Sequence, residues 1–156
     1  MLVHHYLEYY ARTTPEAPCF SHHDTSISYG KLDELANQLG NGLLDLGVEK
    51  GQRVAILGEN SIEHGLWFMA ASKVGAVAVP LNYRLAPAEL AFIINDSNTR
   101  VLFVLQGMED TLEALRGQLP AGIAIITQQQ PDSLHWQEWV NRFPPSAPAV
   151  ETHRDE

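Results

Sequence analysis

Three strongly hydrogen-bonding side chains, Asn82, Tyr83 and Arg84, come one residue after the apolar run "AVAVP" at 76–80. An amide, a phenol and a guanidinium can together orient a polar ligand, and a guanidinium makes charge-assisted bonds to phosphate or carboxylate. Such a bond contributes about 1.5–3 kcal/mol net in favourable geometry. A purely structural role competes with this one. Asn82 can form an Asx-turn ahead of Pro87, and Arg84 can bond carbonyls at a helix end. The residue types alone leave both readings open.

Other chemistry-bearing patterns are sparse. The chain has no G-x-x-x-x-G-K-[ST] phosphate loop and no G-x-S-x-G nucleophile elbow. Gly40-Asn41-Gly42 imitates part of a dinucleotide fingerprint, but it lies inside a leucine stripe of helical period rather than at a strand-to-helix turn. His4-His5 and His22-His23 are adjacent pairs, not expected to converge on one ion. The single Cys19 offers neither a disulfide nor a thiolate zinc site, so no metal is expected. Cys19 falls in an expected strand and reads as an inert thiol. His64 reads as a solvated residue of a first helical turn, and Trp136 and Trp139 as packing anchors.

The elements that would position these groups are legible from periodicity. Residues 2–12 read as a short helix with Leu2, Tyr6, Tyr9 and Tyr10 near one face. Cys19–His22 and Thr25–Ser28 suit a small hairpin around His23-Asp24. Leu32, Leu35, Ala36, Leu39, Leu43 and Leu46 mark a helix with Ser28 as N-cap and Gly47 just past its end. "RVAIL" (53–57) is a strand. Asn60 with Glu63 reads as a capping box for a helix carrying Ile62, Leu66, Met69, Ala70 and Val74, ended by Gly75. "AVAVP" is the next strand, closed by Pro80. Pro87 opens a helix with Leu90, Ile93 and Ile94 inward. "RVLFVL" (100–105), a helix through Met108, Leu112, Leu115 and Leu119, and "IAIIT" (123–127) as the last strand complete the alternation.

Strands that are continuously apolar are buried on both faces, as in parallel sheets covered by helices. The expected fold is therefore α/β, an open, doubly wound, mostly parallel sheet flanked by helices. Ligands of such sheets bind beyond the carboxyl ends of the strands, where Asn82, Tyr83 and Arg84 emerge. Residues 1–128 form the α/β unit in this reading. In 129–156, the polar break "QQQPDS" is followed by a short helix through Trp136, Trp139, Val140 and Phe143. A proline-rich linker or tail then ends abruptly.

Bulk properties exclude several classes. The 156 residues are 45% apolar and 19% charged, ordinary for a globular chain. A formal charge of −9 opposes binding to nucleic acid and to anionic membranes. No signal peptide and no membrane span are visible, so a cytoplasmic location is expected.

Two stretches carry a family resemblance. "ISYGKLDELANQLGNGLLDLGVEKGQRVAILGENS" and "FMAASKVGAVAVPLNYRLAPAELAFIINDSNTRVLFV", in this order and spacing, make residues 27–105 similar to the N-terminal part of the adenylate-forming ligases, specifically the acyl-CoA synthetases. Weaker similarity extends over 2–26. "PLNYRL" resembles the acyl- or aryl-CoA ligase version more than the acidic "PxD" version of nonribosomal-peptide adenylation domains. Lys31 departs from the pattern, which often has a glutamate there.

The resemblance implies a parent enzyme that uses ATP, Mg²⁺ and CoA to convert a carboxylic acid to its acyl-CoA through an acyl-adenylate. It implies Arg84 as a CoA phosphate contact, with Asn82 and Tyr83 at the substrate edge. It also implies that the phosphate loop, substrate pocket and mobile C-terminal domain lie elsewhere, since "AVETHRDE" resembles the segment just before that loop. The chain alone is thus expected to be inactive, to hold no cofactor tightly, and to pair with the remainder of the ligase or with itself through exposed apolar faces. A non-catalytic assembly module and a flavodoxin-like nucleotide binder are the alternatives.

Overall fold

The computed structural model describes residues 1–128 and 134–150. Most of the "QQQPDS" break and the last six residues lie outside them. Helix α1 (Val3–Thr13) is followed by the antiparallel hairpin β1 (Pro18–His22) and β2 (Thr25–Ser28). Then come α2 (Tyr29–Asp45), β3 (Arg53–Leu57), α3 (Ile62–Lys73), β4 (Val77–Leu81), α4 (Pro87–Asp96), β5 (Thr99–Val104), α5 (Glu109–Leu115), β6 (Ala124–Thr127), β7 (Leu134–His135) and α6 (Trp136–Val140).

Strands β3 to β7 form one parallel sheet in the order β4-β3-β5-β6-β7. The expected open, helix-flanked parallel sheet is the fold observed. Alternate residues of β3 and β5 serve two separate cores. Val54, Ile56, Val101 and Phe103 pack against α2, α3 and α6, while Ala55, Leu57, Leu102 and Val104 pack against α4 and α5. Side chains alternate across a strand, so covering both faces requires every position to be apolar.

Local signals set most boundaries. Ser28 Oγ accepts from the Lys31 N–H at 3.3 Å and starts α2, and Gly47 lies just beyond its end at φ +77°, in the left-handed region that favours glycine. Ala86 N–H donates to Glu89 Oε2 at 2.9 Å ahead of Pro87. Four expectations are corrected. The N-cap of α3 is Ser61 rather than Asn60, and Glu63 makes no capping box there. The run "AVAVP" is the sheet's edge strand, not one buried on both faces. Val77 is 49% exposed, and Pro80, which lacks an N–H, is tolerated because one side of β4 pairs with no strand among the described residues. Pro80 does not close the strand either, since Leu81 still pairs with Leu57. Residues 123–127 are not the last strand, because β7 adds beyond β6.

The first helix is turned differently from its apolar pattern. Tyr6, Tyr9 and Tyr10 are exposed, and the buried face is His4 and Leu7. An ionic cluster decides this. Lys73 Nζ, buried on α3, lies 2.7 Å from Glu8 Oε1 on α1 and 2.9 Å from Asp33 Oδ1 on α2. Beside it His4 Nδ1 is 2.7 Å from Ser72 Oγ. Burial lowers the His4 pKa, with Glu8 and Asp33 opposing the shift, so the ring is neutral beside the ammonium. Tyrosine can leave its hydroxyl in water at little cost, whereas a buried ammonium left unpaired is costly.

Candidate functional site

From β3 the chain runs outward to β4, then crosses back to β5 on the other side of β3. This reversal opens a crevice between the carboxyl ends of β3 and β5, the place where open α/β sheets receive ligands. The segments after the two strands approach closely at its floor, where a Cβ on Gly58 would sit 2.5 Å from Leu105 Cβ. A cavity of about 460 Å³ lies above, lined among others by His22, Glu59, Glu63, Gln106, Gly107 and Gln128. Gln128 closes one wall. Its Oε1 accepts from the Gln106 N–H at 2.6 Å, and its Nε2 donates to Glu63 Oε1 at 3.2 Å.

The charge of this crevice is informative. Two carboxylates, Glu59 and Glu63, line it, and no lysine or arginine does among the described residues. Phosphate groups need fixed N–H donors and cations, so these walls repel rather than grip a triphosphate. His64, expected to be solvated, is half-buried with its pKa lowered by burial against the opposing pull of Glu63. It is neutral at pH 7 and supplies no compensating charge.

Asn82, Tyr83 and Arg84 stand one strand away, at the end of β4. Asn82 Oδ1 accepts from the Arg84 N–H at 3.1 Å, so the Asx-turn forms, and Asn82 O accepts from the Leu85 N–H at 3.1 Å. Arg84 Nε donates to Tyr83 Oη at 3.3 Å, with the guanidinium carbon 5.5 Å from the ring centroid. Asn82 and Arg84 are exposed, while Tyr83 is half-buried and packs on the α4–α5 core. The backbone turn and the tyrosine thus hold the guanidinium beside the carboxyl end of β4. The structure joins the three residues to each other and leaves them apart from the crevice lining.

The remaining candidates fall into place. Gly40-Asn41-Gly42 lies in α2, as its leucine spacing requires, and holds packing contacts. Cys19 is half-buried; burial raises its thiol pKa, while a hydrogen bond from Tyr29 lowers it, which leaves a poor nucleophile. Trp136 and Trp139 are buried anchors, 8% and 3% exposed. The first histidine pair does converge, contrary to expectation: donor atoms of His4, His5 and Glu8 lie within 4.8 Å of one another. They are already engaged, Glu8 by Lys73 and His5 Nδ1 by the Leu2 N–H at 3.0 Å. A ring nitrogen that accepts a hydrogen bond leaves the other one protonated, which is the wrong tautomer for ligation. No metal is assigned.

Among the described residues, no helix is long and apolar enough to cross a membrane. The crevice residues Glu59, Gln106 and Gln128 carry no sequence signal, because their convergence depends on the strand order.

A family model described as AMP-binding enzyme matches residues 7–155. A long-chain-fatty-acid–CoA ligase, FadD13, of Mycobacterium tuberculosis is 36% identical over 133 residues, 85% of this chain and 26% of the relative. A 3-hydroxybenzoate–CoA ligase of Aromatoleum sp. is 34% identical over 109 residues, 70% of this chain and 21% of the relative. The crystal structure of the anthranilate CoA ligase AuaEII with anthranoyl-AMP superimposes with a TM-score of 0.91 at 30% identity. It covers 99% of this chain and 30% of that one. The chain therefore spans 26% or less of the length of these curated relatives.

Proposed function

The chain belongs to the AMP-binding enzyme family, and on that footing we propose that it is the N-terminal scaffold of an acyl- or aryl-CoA ligase. The reaction of the whole enzyme joins a carboxylic acid to ATP with release of pyrophosphate, after which the CoA thiol displaces AMP. In this reading the chain supplies the parallel sheet and one contact surface for the reaction. The groups that grip phosphate, Mg²⁺ and the acyl chain belong to other parts of the enzyme.

The observation that carries the reading is the mismatch of charge at the switch-point crevice. Its acidic lining does not fit ATP phosphates, so no adenylation step is assigned to these residues. Arg84 does fit a phosphate. It is exposed, oriented by Tyr83 and clear of the acidic crevice lining. We assign it to a phosphate of CoA. The flavodoxin-like strand order carries no implication of flavin binding, since fold alone does not establish function.

The test is an ATP–pyrophosphate exchange assay on the 156-residue chain with short, long and aromatic acids. No acid-dependent exchange is expected, and robust exchange would refute the scaffold reading. In the same preparation, titration with CoA should move the Arg84 side-chain NMR signal. A signal that stays fixed removes the assignment of Arg84.

A further inference from the structure

The outward side of α2 carries three amides, and all three donate to the main chain just beyond α6. Gln38 Nε2 reaches Phe143 O at 3.1 Å, and Asn37 Nδ2 reaches Pro145 O at 2.9 Å. Asn41 Nδ2 bridges Pro144 O at 3.1 Å and Ser146 O at 3.0 Å. Four successive carbonyls, 143 to 146, are thus held by side chains spaced i, i+1 and i+4 on one helix. Pro144 and Pro145 have no N–H, so this stretch offers a partner little besides carbonyls. Amide NH₂ groups match that offer.

Two buried glycines complete the fit. A Cβ on Gly42 would meet Trp139 Cη2 at 2.7 Å and Phe143 Cε2 at 2.9 Å, and one on Gly40 would meet Pro148 Cγ at 2.9 Å. The stretch expected to be a linker or frayed tail is instead docked on the unit. A segment that serves only to connect would not need donors, missing Cβ atoms and aromatic anchors aligned over its length.

We propose that this face of α2 is a clamp that fixes where the chain leaves the sheet, with Asn37, Gln38 and Asn41 as positioning residues. The proposal rests on the ligase reading only for the role of the residues beyond Val150. Under that reading, other parts of the enzyme supply phosphate chemistry, and the clamp gives the path toward them a fixed starting point relative to Arg84 and the strand ends. The three amides act through the backbone they hold and touch no reacting atom.

The experiment is a spin-label distance measurement on the 156-residue chain in a Cys19→Ser background. One nitroxide is placed at Ala149→Cys beyond the clamp and one at Ala114→Cys, exposed on α5. A control pair uses Ala114→Cys with Asp45→Cys at the end of α2. The parent should give a narrow distance distribution for both pairs. Gln38→Ala with Asn41→Ala removes three of the four bonds and, since alanine favours helix, leaves α2 intact. This variant should at least double the width for the 149 pair and leave the control pair unchanged, and each single change should fall between. A broad distribution in the parent, or an unchanged width in the double variant, would overturn the proposal. Neither outcome depends on ligase activity, which the exchange assay tests separately.

Discussion

Replacing Trp67 by alanine is expected to destabilise the chain by about 4 kcal/mol, the range found for truncating a fully buried tryptophan. Trp67 is 0% exposed on α3, its ring centroid 5.1 Å from that of Phe103 on β5, which in turn lies 5.8 Å from Trp136 on α6. It therefore joins the centre of the sheet to α3 and indirectly to the C-terminal helix. Its Nε1–H also donates to Val54 O at 3.1 Å. Alanine would open a cavity in the larger of the two cores and remove that donor together with its ring. With a urea dependence of about 2 kcal/mol per molar, the denaturation midpoint should fall by about 2 M. Trp67→Phe retains most of the ring and should lose about half as much. A midpoint shift under about 0.5 M for the alanine variant would show that the core is not organised around this ring.

Lys73→Met is expected to cost about 2–3 kcal/mol. Breaking a buried ion pair by removing one partner typically costs about 3–5 kcal/mol. The lower figure applies here because the Glu8 side chain is 38% exposed and can recover some hydration, whereas that of Asp33 is 21% exposed. The loss comes from two carboxylates left facing each other across α1 and α2 without their cation, rather than from the bonds themselves. Neutralising both in a Glu8→Gln, Asp33→Asn, Lys73→Met variant should restore most of the stability, because a neutral cluster carries no stranded charge. Chemical denaturation of the single and triple variants checks this. A triple variant no more stable than Lys73→Met would mean that packing of the lysine stem, not charge, was lost.

Both residues mark what pattern reading passes over. Trp67 lies next to the stripe read from Ile62, Leu66, Met69, Ala70 and Val74, but α3 is packed against the sheet, α1 and α2, so it buries more of its circumference than one stripe. Lys73 carries no local signal of burial, since a lone lysine is costly to bury. Its burial becomes favourable only when Glu8 and Asp33, 65 and 40 residues away in sequence, are brought beside it. The tyrosine face of α1 escapes pattern reading for the same reason.

The candidate site divides in the same way. The Asx-turn at Asn82 is legible because it closes over two residues, and the exposed Arg84 comes with it. The capping box at Asn60 does not form because the helix starts one residue later, at Ser61, which moves Glu63 out of the N3 position; its carboxylate instead accepts from Gln128, 65 residues on.

The sequence by itself determined the alternation of strands and helices, the parallel sheet and the caps at Ser28 and Pro87, since these depend on neighbours within a few residues. It determined the family resemblance as well, which residues 7–155 bear out. Tertiary structure alone decided that β4 is an edge, that the crevice at β3 and β5 is acidic, and that the amides of α2 hold the backbone more than 100 residues later. The physical reason is that charge pairing and hydrogen bonding act over a few ångströms of space. One-dimensional order carries no record of which distant residues will share those few ångströms.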